Sequence, residues 1–199
     1  MFTGIIECLG NVVKTEKEGS NVHFTIKSEI SSELRVDQSV AHDGVCLTVV
    51  EVANNTHRVT AIVETLQRSS LNRWKEGSVI NLERCMPASG RFDGHIVQGH
   101  VDTVGIVERV VEEDGSWRYF FSHPEGEEFV TVPKGSITIN GVSLTVVDSS
   151  PAGFSVAIIP YTYEHTNFKE FRPGHQVNLE FDIVGKYVRS MLRRERSLT

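Results

Sequence analysis

Hydrophobic and polar residues alternate with a period of two along most of the chain. Between Val45 and Val49 the side chains divide into two sets. Val45, Leu47 and Val49 share one face of a strand, and Cys46 and Thr48 share the other. The run follows the turn dipeptide Asp43-Gly44, a strong hairpin signal, and the arrangement recurs at Asn140-Gly141 before Val142 to Val147. Segments 20–27, 57–63 and 78–83, with counterparts at 117–122, 154–159 and 175–181, add short strands of alternating or continuous apolar character. Strands at roughly 10–15-residue spacing, joined by Gly-containing connections, predict an antiparallel barrel. Helical periodicity is sparse: a turn at 67–73 and its counterpart at 164–170. The exception is an amphipathic helix over 184–196, where Val184, Tyr187, Val188, Met191 and Leu192 fall three and four residues apart.

The recurrence extends over the whole chain. Of the 41 positions from 43 to 83, 13 are identical to those 97 residues further on, with no gap. Upstream the offset is 95, with Gly4 matching Gly99 and Gly10 matching Gly105. A repeat of this length is too long for a solenoid unit and suits a small domain. The reading is two tandem copies of one antiparallel barrel, residues 1–92 and 93–187, followed by the helix. The apolar stripe of that helix has no counterpart in the first copy, which makes it a candidate oligomer contact.

Composition narrows the function. The 199 residues carry 20 Lys and Arg against 26 Asp and Glu, a net charge of −6 that argues against a general nucleic-acid binder. No apolar run reaches the roughly 18–20 residues of a membrane span, and the start shows no secretory signal. Cys8, Cys46 and Cys85 are odd in number and widely spaced, fitting neither a disulfide framework nor a zinc site. The expected home is the reducing cytoplasm.

Four motifs carry a family resemblance: Met1-Phe2-Thr3-Gly4-Ile5-Ile6, Gly44-Val45-Cys46-Leu47-Thr48, the segment Gly94 to Asp102 (GHIVQGHVD) and the segment Lys134 to Thr145 (KGSITINGVSLT). Together with the duplication they resemble the riboflavin synthase alpha-chain family over essentially the whole chain. The resemblance implies an all-β fold of two six-stranded antiparallel closed barrels with a C-terminal helix, a homotrimer tied by that helix, and no metal or organic cofactor. It also implies a transferase reaction. Two molecules of 6,7-dimethyl-8-ribityllumazine dismutate by four-carbon transfer to riboflavin and 5-amino-6-(ribitylamino)uracil. It admits one further partner, lumazine synthase, the enzyme that makes the substrate. A duplicated domain suits a reaction between two copies of one molecule, because it supplies two similar pockets.

The residues themselves point the same way. Cys46 and Thr48 in one copy and Ser143 and Thr145 in the other put small polar groups on one strand face, around Leu47 and Leu144. A buried Cys is also a small hydrophobe and Thr a good strand former; the resemblance makes these positions a ligand shelf. It places Gly99, His100 and Val101 in the second pocket, in the places that Gly4, Ile5 and Ile6 hold in the first. His100 is then a candidate general base, since an imidazole changes charge in the neutral range. His95 and His100, five residues apart in a strand, would lie on opposite faces, which disfavours a shared metal. The resemblance further implies that Thr60-Ala61-Ile62-Val63-Glu64-Thr65 and Ile159-Pro160-Tyr161-Thr162-Tyr163-Glu164 hold the ligand edge, largely through backbone groups; otherwise these are ordinary strand ends. Lys134 reads as a surface charge and, by resemblance, as a ligand contact. Phe2 is either a core plug or part of the site. Many family members carry Asp where this chain has Asn140, a turn residue that cannot usefully transfer a proton, so Asn140 is at most a binding or orienting residue.

Two rival readings remain. A lumazine- or flavin-carrying antenna protein has the same fold without catalysis, but would degrade the second-copy features that His95, His100, Ser143 and Thr145 preserve. A flavin-reductase barrel would need an Arg-x-Tyr-Ser/Thr motif, which Arg118-Tyr119-Phe120 does not supply, and a nucleotide domain for which the length leaves no room.

Overall fold

A computed structural model describes residues 1–196. Strands β1 (Cys8–Glu18), β2 (Asn21–Lys27), β3 (Ser39–His42), β4 (Val45–Ala53), β5 (Thr56–Ala61) and β6 (Val79–Arg84) close into a barrel in the order β1-β2-β5-β4-β3-β6. Strands β7 (Thr103–Glu113), β8 (Ser116–Ser122), β9 (Ser136–Ile139), β10 (Val142–Ser150), β11 (Gly153–Ile158) and β12 (Gln176–Phe181) repeat that order, and every pairing is antiparallel. The expected all-β architecture of two six-stranded barrels is what the chain forms.

Local chemistry explains why the two copies fold alike. Asp43 and Gly44 have φ of 47° and 78°, and Asn140 and Gly141 have 45° and 81°. Positive φ at both central residues matches the right-handed twist of a hairpin, and Asx-Gly is the dipeptide that adopts it at least cost. A register shift lies between Val12 and Lys14 in β1 and between Val49 and Glu51 in β4. The counterparts fall between Val107 and Arg109 and between Val146 and Ser149. Bulges sharpen twist and bend, which six strands need in order to close. The alternation read from the sequence holds: Val45, Leu47 and Val49 point into the first core, while Cys46 is half-buried and Thr48 exposed on the outer face.

Two expectations need correction. The strand 57–63 ends at Ala61, and the chain then turns into the short helix α1 (Val63–Arg68), with α2 (Pro160–His165) in the second copy. Helix thus begins about four residues before the expected turns at 67–73 and 164–170. Ile62 and Ile159 are the extended N-cap residues, and Pro160 occupies the first turn, where its missing N–H costs nothing. Val63 and Ile62, both β-branched, conceal that change in the sequence. The segment around His95 and His100 is also no strand; it is irregular except for one bridge at Val97.

The barrels meet about a pseudo-two-fold axis through buried polar groups. Asn81 Nδ2 donates to the Asn140 carbonyl at 2.9 Å, and its counterpart Asn178 Nδ2 donates to the Asp43 carbonyl at 2.8 Å. Gly44 and Gly141 pack face to face, so that a Cβ on Gly44 would lie 2.7 Å from the Gly141 nitrogen. The C-terminal helix α3 (Ile183–Arg196) starts one residue earlier than predicted and is tied to the second barrel by Lys186, whose Nζ lies 2.6 Å from Asp102 Oδ2. Its stripe of Val184, Tyr187, Val188, Met191 and Leu192 faces away from both barrels, with Val184 59% and Met191 68% exposed.

Candidate functional site

Two irregular arms, residues 1–7 and 94–102, cross at the pseudo-two-fold axis. They pair through a single bridge. Phe2 N–H donates to the Val97 carbonyl at 2.8 Å, Val97 N–H returns the bond at 3.1 Å, and both side chains are fully buried. Beyond the crossing each arm lies against the opposite barrel. Ser143 N–H of β10 donates to the Gly4 carbonyl at 2.8 Å, and Cys46 N–H of β4 donates to the Gly99 carbonyl at 2.9 Å. A Cβ at Gly4 would stand 2.5 Å from Ser143 Cβ, and one at Gly99 would stand 2.6 Å from Cys46 Cβ; both glycines also have φ near +80°. Only glycine meets both demands. Ile6 packs on the second core and Val101 on the first.

This crossing corrects the expected grouping. Gly99, His100 and Val101 belong beside Cys46 on the first barrel, and Gly4, Ile5 and Ile6 beside Ser143 on the second. The exchange was invisible in sequence because an irregular arm carries no periodicity to say which barrel it touches.

The residues expected in the first half-pocket lie on neighbouring elements: Cys46, Leu47 and Thr48 on β4, 60–65 where β5 gives way to α1, and the second arm bonded to Cys46 through the Gly99 carbonyl. The β4–β5 ladder ends at Val49 opposite Val59, so beyond it the two backbones diverge at this rim. Ile62 and Val63 are 53% and 42% exposed there, apolar groups open to a flat ligand. Burial pushes the Cys46 thiol up, against a weaker opposing hydrogen bond from Ser39. A neutral thiol donates or accepts weakly and is no standing nucleophile. Ser39 lies opposite Thr48 in the ladder and extends the polar shelf, a contribution the linear pattern did not single out. The Thr60 hydroxyl is paired with His23 Nδ1 at 2.9 Å, and Leu47 and Ala61 face the core, so these last two can offer a ligand only backbone groups.

The second half-pocket repeats the frame with different chemistry. Its expected residues are Ser143, Leu144 and Thr145 on β10, 159–164 leading into α2, and the first arm bonded to Ser143 through the Gly4 carbonyl; the β10–β11 ladder stops at Val146 opposite Val156. Ile159 and Tyr161 are exposed, while Tyr163 stacks on Trp117 with ring centroids 3.9 Å apart. His95, which the sequence offered as half of a disfavoured metal pair and as a preserved second-copy feature, sits behind the shelf. Its Nδ1 is 2.6 Å from Ser143 Oγ and its Nε2 3.1 Å from Thr138 Oγ1. Burial lowers its pKa, with Asp182 opposing, which favours the neutral imidazole.

Three other residues fall elsewhere. Asn140 is buried in its turn between the barrels, where Oδ1 accepts from Asn178 N–H at 2.7 Å; it borders a separate groove of about 560 Å³ that also touches Asp43, Trp74 and Phe171. Phe2 is a core plug, packed with Ala41 and Val97 beneath Cys46. Lys134 is exposed with φ 68°, its N–H donating to the Val146 carbonyl at 2.9 Å, which sets its backbone next to Thr145.

Comparison with known proteins places this geometry. The signature of the family described as "Lumazine binding domain" matches residues 3–85 and again 98–182. Riboflavin synthase of Actinobacillus pleuropneumoniae is 42% identical over 197 residues, covering 98% of this chain and 91% of that one. Riboflavin synthase of Mycobacterium tuberculosis (strain ATCC 25618 / H37Rv) is 40% identical, covering 97% and 98%. Among solved structures, LumP complexed with riboflavin superposes with a TM-score of 0.84 at 22% identity, over 92% of this chain and all of that one, a likeness of fold.

Proposed function

Since the chain belongs to the lumazine-binding domain family, we propose that it has riboflavin synthase activity, the dismutation of two 6,7-dimethyl-8-ribityllumazine molecules to riboflavin and 5-amino-6-(ribitylamino)uracil. One observation carries the reading: the chain builds the same barrel twice, each with an arm bonded to the other's β4 or β10 strand (Gly4 carbonyl to Ser143, Gly99 carbonyl to Cys46), but with unlike polar groups at the two places. Equal frames suit two copies of one substrate, and unlike groups suit a donor and an acceptor. Stacking the two rings in register makes their reaction effectively intramolecular, an effect that reaches roughly 7–11 kcal/mol. The substrate's acidic 7-methyl group then asks for modest proton transfer.

Cys46, His100, Ser143 and Thr145 are the residues we assign to that chemistry. In the first half-pocket His100 is the exposed imidazole and Cys46 a neutral hydrogen-bonding thiol. In the second, the neutral His95 imidazole behind Ser143 gives that hydroxyl a partner able to take its proton, and Thr145 completes the shelf. Lys134 adds a cation at the rim.

Each half-pocket is open on one side. The complete site joins the first barrel of one chain to the second barrel of a neighbour in a homotrimer held by the α3 stripe. Three free thiols fit a cytoplasmic location. Among the described residues no helix is long and apolar enough to cross a membrane. The test is direct: incubation with dimethylribityllumazine should produce growing flavin absorbance at the red edge of the lumazine band. A stable, merely perturbed spectrum would instead support the antenna alternative.

A further inference from the structure

The arms that carry Ile5 and His100 have no ladder of their own beyond the Phe2–Val97 bridge, yet each reaches its pocket in a fixed pose. Besides the bonds of the Gly4 and Gly99 carbonyls, two buried carboxylates hold them. Glu83, in β6, accepts from Thr3 N–H (2.6 Å) and Thr3 Oγ1–H (2.8 Å) through Oε1, and from Gly4 N–H (3.0 Å) through Oε2. Glu180, in β12, accepts from Gln98 N–H (2.7 Å) through Oε1, and from Gly99 N–H and His100 N–H (both 2.9 Å) through Oε2. Both are 4% exposed. Successive amides turned to one side around a positive-φ glycine make a nest for an anion, and a two-oxygen carboxylate has the lone pairs to fill it. A neutral amide side chain would turn an NH₂ toward those donors.

We propose that Glu83 and Glu180 are positioning residues for catalysis: each grips an arm from its own barrel and thereby sets the residues which that arm presents in the other barrel's pocket. Glu180 governs His100 beside Cys46, and Glu83 governs Ile5 beside Ser143. The assignment rests on the two-pocket reading above but concerns only the arms.

The clamps are unequal. Burial raises both carboxyls, Glu180 to about 7, with Lys186 of α3 pulling it back; the nearby charge of Glu7 adds to the rise at Glu83. Through the charge of Lys186, the helix assigned to trimer contact also acts on the clamp that serves the first pocket.

A crossed labelling experiment tests the assignment in the full chain. One reporter keeps Cys46 alone, with Cys8→Ser and Cys85→Ser. The other carries Ser143→Cys with all three native cysteines changed to Ser. Each receives Glu83→Gln or Glu180→Gln and is alkylated with iodoacetamide. Glu180→Gln should speed labelling at Cys46 about tenfold and leave position 143 within about twofold, and Glu83→Gln should do the reverse, because thiol access follows local opening. Equal acceleration at both reporters would mean general destabilisation and would overturn the proposal, as would no acceleration. Should the variants fail to fold, amide exchange in the unaltered protein decides. Gly99 and His100 amides should exchange at least about 100-fold more slowly than those of residues 88–92, and exchange at the same rate sinks the clamp. If labelling crosses as expected while unaltered protein makes no riboflavin, the clamp stands and the reaction reading falls.

Discussion

The two barrels share strand order, bulges and turns, yet their interiors are chemically different. The first encloses a hydrogen-bonded chain. His42 Nδ1 faces the Val40 carbonyl at 3.0 Å and must donate, so its Nε2 is bare and accepts from His57 Nε2–H at 2.8 Å; His57 Nδ1 in turn accepts from Ser31 at 2.9 Å. Every atom in that chain has a fixed role only while both imidazoles are neutral. In the second barrel Ile139 and Phe154 stand in place of His42 and His57, and the interior is aromatic. Phe121 stacks on Phe154, and Phe168 meets Tyr119 edge to face. Backbone architecture here is set by turn chemistry, bulges and inside–outside alternation, which both copies keep, and tolerates two unrelated ways of filling the middle. What the core chemistry does change is how each half answers to acid and how each pocket is equipped.

The sharpest way to break the comparison is to disable the pockets separately. His100→Ala with Thr48→Ala damages the first; Ser143→Ala with His95→Ala damages the second. Each variant should lose roughly 10²–10⁴ of its turnover, the usual worth of positioned acid–base groups. Refolding the two together should then restore activity, because mixed trimers contain junctions of intact first and second pockets. Mixed trimers no more active than the parents would place each site within one chain.

Acid should separate the interiors next. Burial lowers His42 to about 3, with the His57 charge adding, and lowers His57 to about 4. The unfolded chain therefore takes up these protons first, near the free imidazole value, and stability is lost as pH falls below about 6.5. With a slope approaching 1.36 kcal/mol per pH unit for each, two histidines cost about 3 kcal/mol between pH 6.5 and 5. Asp43 and Glu180, raised to about 7 by burial, act oppositely: they bind protons in the folded state, so stability is gained as pH falls from 7 toward their unfolded values. The unaltered protein should thus be nearly level over this range. Transplanting the second barrel's residues, His42→Ile with His57→Phe, should expose the carboxylate trend, so that the variant grows more stable on acidification by urea unfolding. Equal pH profiles for the two proteins would contradict the buried pair.

The smallest effect concerns the turn residues. Asp43 Oδ1 accepts from Asn81 N–H at 2.8 Å and Asn167 Nδ2–H at 2.9 Å, and Trp74 supplies a further donor. In the second copy Ser70 and Phe171 replace Asn167 and Trp74, so Asn140 receives the Asn178 N–H without those two donors. Donor supply explains why one copy has Asp and the other Asn. Asn140→Asp would bury a carboxylate with too few partners and should cost about 1–3 kcal/mol, read as a lowered urea midpoint at pH 8. An unchanged midpoint would show the turn to be solvated.

These contrasts also mark what the linear chain could reveal. Thr48 and Cys46 were legible as outward-facing because strand alternation is strictly local, and the α3 stripe because its spacing is helical. Asp-Gly and Asn-Gly announced their turns. The short helices after Ile62 and Ile159 were not legible, since β-branched residues there continue the strand pattern. Nor was the service of His100 to the first barrel, or that of Glu83 and Glu180 to the arms, because contacts spanning about 80 residues leave no period behind. The His42–His57 pair has the same character: two histidines on different strands become partners only through ladder register.

The crossing of the arms has a consequence for how the chain is made. Residues emerge from the ribosome in order, and 1–6 precede both barrels. Their resting place includes Ser143, synthesised some 140 residues later. The amino-terminal barrel can close its strands once β6 has appeared, and Phe2 can pack on Ala41 and Val97 soon after, but Gly4 must wait for its bond to Ser143 until the second hairpin turn is complete. Such a long-range closure is slow by nature, because its loop entropy is met before any contact rewards it. The half that is born first is finished last.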